Sequence, residues 1–181
     1  MKTKILSIFL IFACLNTTYS QNREAVKTST DILMFATPAA GFITTLLKKD
    51  YTGTKQLILS GATSVATSYL LKYTINKERP DKSDTHSFPS NHTAMAFQGA
   101  SFIHIRYGWK YAIPAYLLSG YVAWGRIYAK RHYFWDVVAG AAVGVGSSLI
   151  FTTKFAKEHN VAFTPVTYIG GGVGVNFCMR F

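Results

Sequence analysis

The sequence predicts an all-α fold: an antiparallel bundle of about five helices, embedded in a membrane and followed by a β-like C-terminal tail. Apolar residues make up 49% of the 181 residues. Only 15% are charged, whereas soluble domains carry about a quarter. Apolar stretches of helical length also recur along the chain. This length fits one domain with a single core.

The first twenty residues are typical of a secretory signal. Basic Lys2 and Lys4 precede an apolar run at 5–14, and small residues follow before position 21. The apolar run is shorter than the about 20 residues that cross a bilayer. We therefore expect an exported protein with a helical domain at 21–160 and a tail of unassigned role at 161–181. Retention of the leader as an anchor stays open.

Weakly apolar stretches of helical length follow the leader at 30–47, 55–73, 91–105, 111–128 and 133–153. In the last of these, Gly140, Gly144 and Ser148 recur every four residues and predict a smooth ridge for close helix contact. Each uninterrupted apolar run is shorter than the about 20 residues that span a bilayer. Short membrane helices and core helices of a soluble bundle therefore both stay open.

The placement of charge favours the membrane. In an up-and-down bundle, one end collects basic residues from short connections: Lys48, Lys49, Lys55, Arg106, Lys110, Lys154 and Lys157. Cytoplasmic loops carry such an excess under the positive-inside rule, so the opposite end is expected to face outward. The net charge of +11 fits phosphate or anionic lipid as a partner. Nucleic acid is not expected, because the basic residues do not form one exposed face.

The tail alternates apolar residues such as Val173, Val175 and Phe177 with smaller or polar ones, which is the period of a strand. One strand cannot close a barrel. An edge strand, a packed tail and a partner-binding segment stay open.

Polar residues that fit phosphate chemistry fall at one end of the predicted bundle. They are the cations Lys72, Arg79 and Arg126, then Ser90, Asn91 and His92 at the start of the third helix, and finally His132 and Asp136. Guanidinium forks match phosphate oxygens, and a helix N-terminus adds N–H donors. Other basic residues at this end are interpreted as solvated, namely Lys77, Lys82, Lys130 and Arg131, while His86, His104 and His159 receive no role.

The two remaining histidines divide the work of a phosphatase. His132 and Asp136 are four residues apart and share one helical face. A carboxylate on one ring nitrogen would fix the tautomer and leave the other nitrogen free to attack phosphorus. His92 is placed to protonate the leaving oxygen and then to activate water. These residues predict a phosphohistidine on His132, with His92 as the acid.

The combined pattern resembles the signature of the type 2 phosphatidic acid phosphatase superfamily: Lys-x6-Arg-Pro, Pro-Ser-Gly-His and Ser-Arg-x5-His-x3-Asp. The matching residues are Lys72, Arg79 and Pro80, then Pro89, Ser90 and His92, then Arg126, His132 and Asp136. The resemblance covers roughly 55–153. It implies metal-independent hydrolysis of a phosphomonoester or diphosphate without a cofactor, and phosphate binding by Lys72, Arg79, Ser90, Arg126 and the N–H of Asn91.

Two positions depart from the family pattern. Asn91 replaces the usual glycine, and asparagine tolerates glycine-like backbone angles best among other residues. Gly125 replaces the usual serine and removes one hydroxyl from the phosphate site.

Membrane members of the family act on lipid phosphates, so the resemblance implies a phosphorylated lipid substrate and a periplasm-facing site in the bacterial inner membrane. The lipid stays open between phosphatidic acid, phosphatidylglycerophosphate, undecaprenyl diphosphate and lipid A. The alternatives are a soluble or outer-membrane-associated periplasmic acid phosphatase, a vanadate-dependent haloperoxidase and a non-catalytic assembly module. The sequence assigns no oligomeric state.

Overall fold

The computed structural model describes residues 23–155, 161–167 and 173–179. The predicted signal at 1–20 lies outside the described residues, as does His159. Within them, six helices and two strands follow in order: α1 Arg23–Leu33, α2 Ala36–Leu47, α3 Tyr51–Ile75, α4 Asn91–Tyr107, α5 Trp109–Tyr128, α6 Phe134–Phe151, β1 Val161–Thr167 and β2 Val173–Met179. The helical bundle is therefore confirmed.

The first predicted helix is two helices rather than one. A turn at 34–35 separates α1 from α2. Pro38 accounts for the break, because its ring excludes the carbonyl oxygen of Met34, four residues earlier, from a continuous helix. The first turn of a new helix tolerates the same proline, and α2 begins at Ala36.

Helix α4 is the centre of the bundle and packs against α2, α3, α5 and α6. The ridge predicted on α6 is part of this packing. A Cβ on Gly140 would collide with the carbonyl oxygen of Ser90, and one on Gly144 with that of Ala94. Small residues thus let the backbones of α4 and α6 touch, as in helix pairs joined through glycine ridges.

At one pole of the bundle lie the end of α3, the start of α4 and the α5–α6 connection, which we call the site pole. The opposite pole carries the predicted basic residues of the short connections that the structure describes, with one correction; Lys157 lies outside the described residues. Arg106 is not a loop cation: it is 2% exposed and forms two hydrogen bonds to the Asp50 carboxylate, at 2.6 and 2.7 Å. Its charge is therefore neutralised inside the fold, which leaves the lysines to carry the charge of that pole.

Within the part of the chain that the structure describes, two segments are long and apolar enough to cross a membrane: Arg23–Leu47, which comprises α1 and α2, and Phe134–Phe151. The strand period predicted in the tail is confirmed, although the described residues contain two strands instead of one. Strands β1 and β2 pair antiparallel, with Val161 opposite Met179 and Thr167 opposite Val173.

Candidate active site

A cavity of about 290 Å³ lies at the site pole. Five predicted site residues and four others line it: Lys72, Arg79, Asn91, His92 and His132, with Tyr69, Tyr73, Asp84 and His86. The other three predicted residues, Ser90, Arg126 and Asp136, are buried and contact residues of the same pole. The structure therefore gathers every predicted site residue at one end of the bundle.

His132 lies in the connection between α5 and α6 and is 2% exposed. Its Nδ1 donates a hydrogen bond to the backbone carbonyl oxygen of Ser87 at 2.7 Å. Because a carbonyl only accepts, this bond assigns the ring hydrogen to Nδ1 and leaves a lone pair on Nε2. Burial, together with the positive charges of Arg79 and Lys72, lowers the pKa of His132 to about 2. The predicted nucleophile is thus a neutral imidazole with a free Nε2.

The predicted contact between Asp136 and His132 is wrong. The buried carboxylate of Asp136 instead accepts hydrogen bonds from Lys77 Nζ at 2.6 Å and Ser87 Oγ at 2.5 Å. It also accepts one from the backbone N–H of Tyr133 at 2.9 Å. The cause is local: Asp136 is the third residue of α6 and closes a capping box with Tyr133, which holds its carboxylate at the helix start.

Ser87 links Asp136 to His132 all the same. Its hydroxyl donates to the Asp136 carboxylate, and its carbonyl oxygen accepts from the His132 ring. Ser87 is fully buried, so neither bond competes with water. Asp136 is therefore connected to the His132 ring through the hydroxyl and the carbonyl group of Ser87.

His92, the predicted acid, lies in the first turn of α4 and lines the cavity. Its Nε2 is 2.8 Å from Oδ1 of Asp31, near the end of α1. The same oxygen is 2.5 Å from Nη1 of Arg126, and that nitrogen also donates to Thr30 Oγ1 at 3.1 Å. Residues of α1 therefore hold both His92 and Arg126.

The cations Lys72 and Arg79 border the cavity and anchor the α3–α4 connection. Lys72 Nζ donates to the carbonyl oxygens of His86 and Pro89, both at 2.8 Å. An ammonium has three hydrogens, so one remains for a ligand. Arg79 Nη2 is 3.4 Å from Asp84 Oδ2, and its buried Nε has no hydrogen-bond partner among the described residues. Both side chains retain donors for an anion.

The start of α4 supplies the backbone part of the site. Ser90 caps the helix, and its Oγ accepts from the N–H of Thr93 at 3.5 Å. Asn91 is the first helical residue, and it is not among the described residues with positive φ. The glycine-like conformation expected for Asn91 is therefore not used, because a helix start needs none. Free N–H groups of this first turn suit an anion.

Gly125, where the family has serine, borders α1. A Cβ added there would lie 2.5 Å from Cγ2 of Thr30 and 3.2 Å from Cγ1 of Val26. The space of the missing side chain is thus filled by α1, and the Thr30 hydroxyl contacts Arg126. The Thr30 hydroxyl donates to the carbonyl oxygen of Lys27 and does not line the cavity, so it holds Arg126 and does not replace the hydroxyl lost at 125.

The sequence prediction missed Lys77, Ser87 and Asp31. Lys77, interpreted as solvated, forms an ion pair with Asp136 and lies over the Tyr133 ring, 4.6 Å from its centroid. One signal was available: Asp136 was the only carboxylate placed among the cations of the predicted pole, and a buried carboxylate needs a cation. Asp31 carried no local signal, because only the packing of α1 brings it to the site.

His86 had been left without a role, and it lines the cavity. Its Nδ1 is 2.8 Å from Asp84 Oδ1, and its ring packs edge-on against Tyr73.

The sequence profile of the PAP2 superfamily matches residues 32–159. The chain is 39% identical over 77 residues to a lipid A 1-phosphatase of Porphyromonas gingivalis, a match that covers 41% of this chain and 17% of that protein. It is 26% identical over 148 residues to a lipid A 4'-phosphatase of Helicobacter pylori, covering 76% of this chain and 74% of that protein.

The fold is similar to the crystal structure of Aquifex aeolicus LpxE, with a TM-score of 0.62 and 23% sequence identity. The superposition covers 75% of this chain and 87% of that chain. The superfamily profile spans all the predicted site residues together with α2 to α6. The predicted family is confirmed, and the chain belongs to the PAP2 superfamily.

Proposed function

We propose that this chain is a phosphatase that releases phosphate from a lipid through a phosphohistidine on His132. The observation that carries the proposal is the state of that imidazole. It is buried and neutral, its Nδ1 is committed to Ser87, and its Nε2 is free beside two cations. A nucleophile of this kind attacks phosphorus directly without first losing a proton.

Positive charge is the main source of rate acceleration in this proposal. Lys72, Arg79 and the first turn of α4 surround the cavity where the phosphoryl group would bind. Arg126 lies behind His92, and its Nε is buried without a hydrogen-bond partner among the described residues. Phosphoryl transfer spreads negative charge over the equatorial oxygens, so fixed cations and N–H donors stabilise its transition state.

His92 completes the reaction as acid and then as base. As the His132 Nε2–phosphorus bond forms and the ester P–O bond breaks, protonated His92 gives its proton to the leaving oxygen. Water then attacks the phosphohistidine, and its proton returns to His92, which releases inorganic phosphate and restores both histidines. The position of His92 on the cavity wall supports this assignment.

A lipid substrate is supported by the surroundings of the phosphate cavity. A second cavity of about 280 Å³ shares Tyr69, Asn91 and His92 with it. A third, of about 690 Å³, shares Phe35 and Val65 with the second. Together the second and third form a groove along α3, the apolar groove, lined by Phe35, Phe42, Leu57, Ile58, Val65 and Met95. From Tyr69 to Leu57 it extends about 18 Å at 1.5 Å per helical residue, enough for an acyl chain.

The membrane setting is part of the same proposal. Large apolar side chains are more than half exposed along the helices: Leu47, Ile58, Leu70, Leu117, Leu149 and Ile150. Water would be a poor solvent for so much apolar surface, whereas lipid covers it. With the lysines of the opposite pole in the cytoplasm, the site pole would face the periplasm. The names of the two curated relatives make lipid A phosphate the first substrate to test.

Phosphate release from purified protein in detergent tests the chemistry. We expect the wild-type chain to act on lipid A phosphate and on p-nitrophenyl phosphate, His132→Ala to release none, and His92→Ala to act slowly. Acid-labile radiolabel on the protein during turnover would support the phosphohistidine. Turnover by both variants at the wild-type rate would refute the mechanism.

Filling the apolar groove tests the substrate class. Val65→Trp places a large ring where the second and third cavities meet. Displacing about two methylenes, at about 0.8 kcal/mol each, should lower kcat/KM for a long-chain lipid phosphate about 10-fold and leave p-nitrophenyl phosphate unaffected. The matched control is Leu59→Trp, on the same helix but outside the lining residues, where the side chain is 52% exposed. Equal activity of both variants on the lipid would favour a soluble-ester phosphatase.

A further inference from the structure

Asp31 joins the site from a helix that lies almost outside the family match. The superfamily profile begins at residue 32, and Asp31 lies near the end of α1. One oxygen of its carboxylate contacts both His92 Nε2, at 2.8 Å, and Arg126 Nη1, at 2.5 Å. A carboxylate shared by the acid and by a phosphate-binding arginine is unlike the other acidic groups of the pole, which contact neither.

The packing of α1 makes this contact specific. Thr30, the neighbour of Asp31, is fully buried against the bare backbone of Gly125, and its hydroxyl accepts from Arg126. A larger residue at 125 would push Thr30 away. The place of Asp31 beside His92 therefore follows from close helix packing, although its own side chain is 42% exposed.

The two histidines are consequently held through opposite ring nitrogens. His132 uses Nδ1 for its backbone partner and keeps Nε2 free, whereas His92 uses Nε2 for Asp31 and keeps Nδ1 for the substrate. Their partners also differ in charge. A neutral carbonyl leaves His132 uncharged, and a carboxylate favours the protonated imidazole. This difference matches a nucleophile on one side of phosphorus and an acid on the other.

The acid needs this support because cations surround it. Burial and the positive charges of Arg126 and Arg79 lower the pKa of His92 to about 4, and the Asp31 carboxylate opposes this shift. Without the carboxylate, His92 would bind its proton less readily at the moment when the leaving oxygen requires one.

We propose, on the basis of the function proposed above, that Asp31 is a positioning residue for the acid step. It holds His92 by Nε2 and stabilises the imidazolium, which donates its Nδ1 proton to the leaving alkoxide as the P–O bond breaks. In the second step the same pair accepts the proton of the attacking water. Asp31 itself does not touch the substrate.

The test compares leaving groups in the full-length protein in detergent. A p-nitrophenolate leaves without protonation, whereas the alkoxide of a lipid phosphate needs a proton. We expect Asp31→Asn to lower kcat for a lipid phosphate by about 10- to 100-fold, part of the 10²–10⁴ contribution of a general acid. The phosphorylation step with p-nitrophenyl phosphate, measured as the burst of p-nitrophenolate, should stay within about 3-fold of wild type, because this leaving group needs no proton and the burst precedes attack by water. Asp31→Glu should recover part of the loss.

Two further readouts separate positioning from folding. In Asp31→Asn the alkaline limb of the lipid pH profile should move to lower pH, because His92 then loses its proton more easily. Vanadate should inhibit Asp31→Asn at least as strongly as it inhibits the wild type, because the substitution releases Arg126 from the Asp31 carboxylate and leaves its guanidinium available to the anion. The matched control is Ser29→Ala, which removes a 3.0 Å contact of α1 with Tyr121 away from the site.

Equal losses in the phosphorylation rates of both substrates, or unchanged phosphorylation rates for both, would overturn the role of Asp31. A wild-type chain inactive towards both esters would instead overturn the phosphatase proposal, and the Asp31 proposal with it. The two failures are distinguishable because the first requires an active parent.

Discussion

Replacing Asp136 by asparagine separates two accounts of how the His132 ring, the proposed nucleophile, is held. If the carboxylate bonded to His132, as the sequence predicts, the change would disturb the tautomer, which costs about 10⁴ in kcat where such a bond exists. In the structure the Ser87 carbonyl holds the tautomer, and the substitution leaves that carbonyl in place. We therefore expect kcat to fall by at most about 100-fold, the loss for a displacement of about 1 Å.

The structure also sets the expected loss of stability in Asp136→Asn. The asparagine oxygen still accepts from Ser87 Oγ and the Tyr133 N–H, whereas Lys77 loses its ion pair. Lys77 is 35% exposed and is rehydrated easily, so that loss is about 1 kcal/mol. Less favourable geometry in the other two bonds adds about 1 kcal/mol. The free energy of unfolding should therefore fall by about 2 kcal/mol.

The assay measures kcat with p-nitrophenyl phosphate and thermal unfolding on the same detergent preparation. Glu24→Gln is the matched control, because it makes the same chemical change in an exposed pair with Lys27 on α1, and neither quantity should change. A loss of about 10⁴ in kcat in an Asp136→Asn protein that unfolds in the expected range would refute the account through Ser87.

Two further predictions concern stability. Gly144→Ala should lower the free energy of unfolding by about 1–3 kcal/mol, because its Cβ collides with the Ala94 carbonyl oxygen. Gly146→Ala is the control, because its Cβ would have no heavy atom within 4 Å. This second change should raise the free energy of unfolding by up to about 1 kcal/mol. Because the pKa of His132 is lowered to about 2, the unfolded chain binds more protons below about pH 6.5. The free energy of unfolding should therefore fall by up to about 1.4 kcal/mol for each unit by which the pH is lowered. Thermal unfolding at several pH values should show a shallower dependence in His132→Asn.

The sequence predicts the fold and the membership of the site well, because both depend on local signals. Apolar stretches of helical length located α2 to α6 but did not separate α1 from α2. Pro80 and the Pro89–Ser90 pair marked the end of α3 and the start of α4. An up-and-down bundle places alternate helix ends together, so His92 and His132 met as expected. The glycines of α6 also indicated close packing correctly.

The hydrogen-bond partners within the site could not be predicted in the same way. A spacing of four residues places Asp136 near His132, but the capping box at the start of α6 decides which donors its carboxylate accepts. Asp31 and Arg126 are 95 residues apart, and no motif joins them. Their contact depends on a helix break at Pro38 and on the absence of a side chain at Gly125, features whose effects appear only once the helices are packed.

The two sides of α4 differ in how freely their residues can be exchanged during evolution. On the side that faces α6, the backbone of α4 contacts the glycines of α6 directly. The N–H of Ser90 also donates a hydrogen bond to the carbonyl oxygen of Asp136 at 2.9 Å. Towards α2 and α3, the apolar groove is bordered by partly exposed side chains with room around them. Under the proposed function, substitutions in the groove therefore change which lipid is accepted, whereas substitutions at the α4–α6 contact move His132 relative to the first turn of α4.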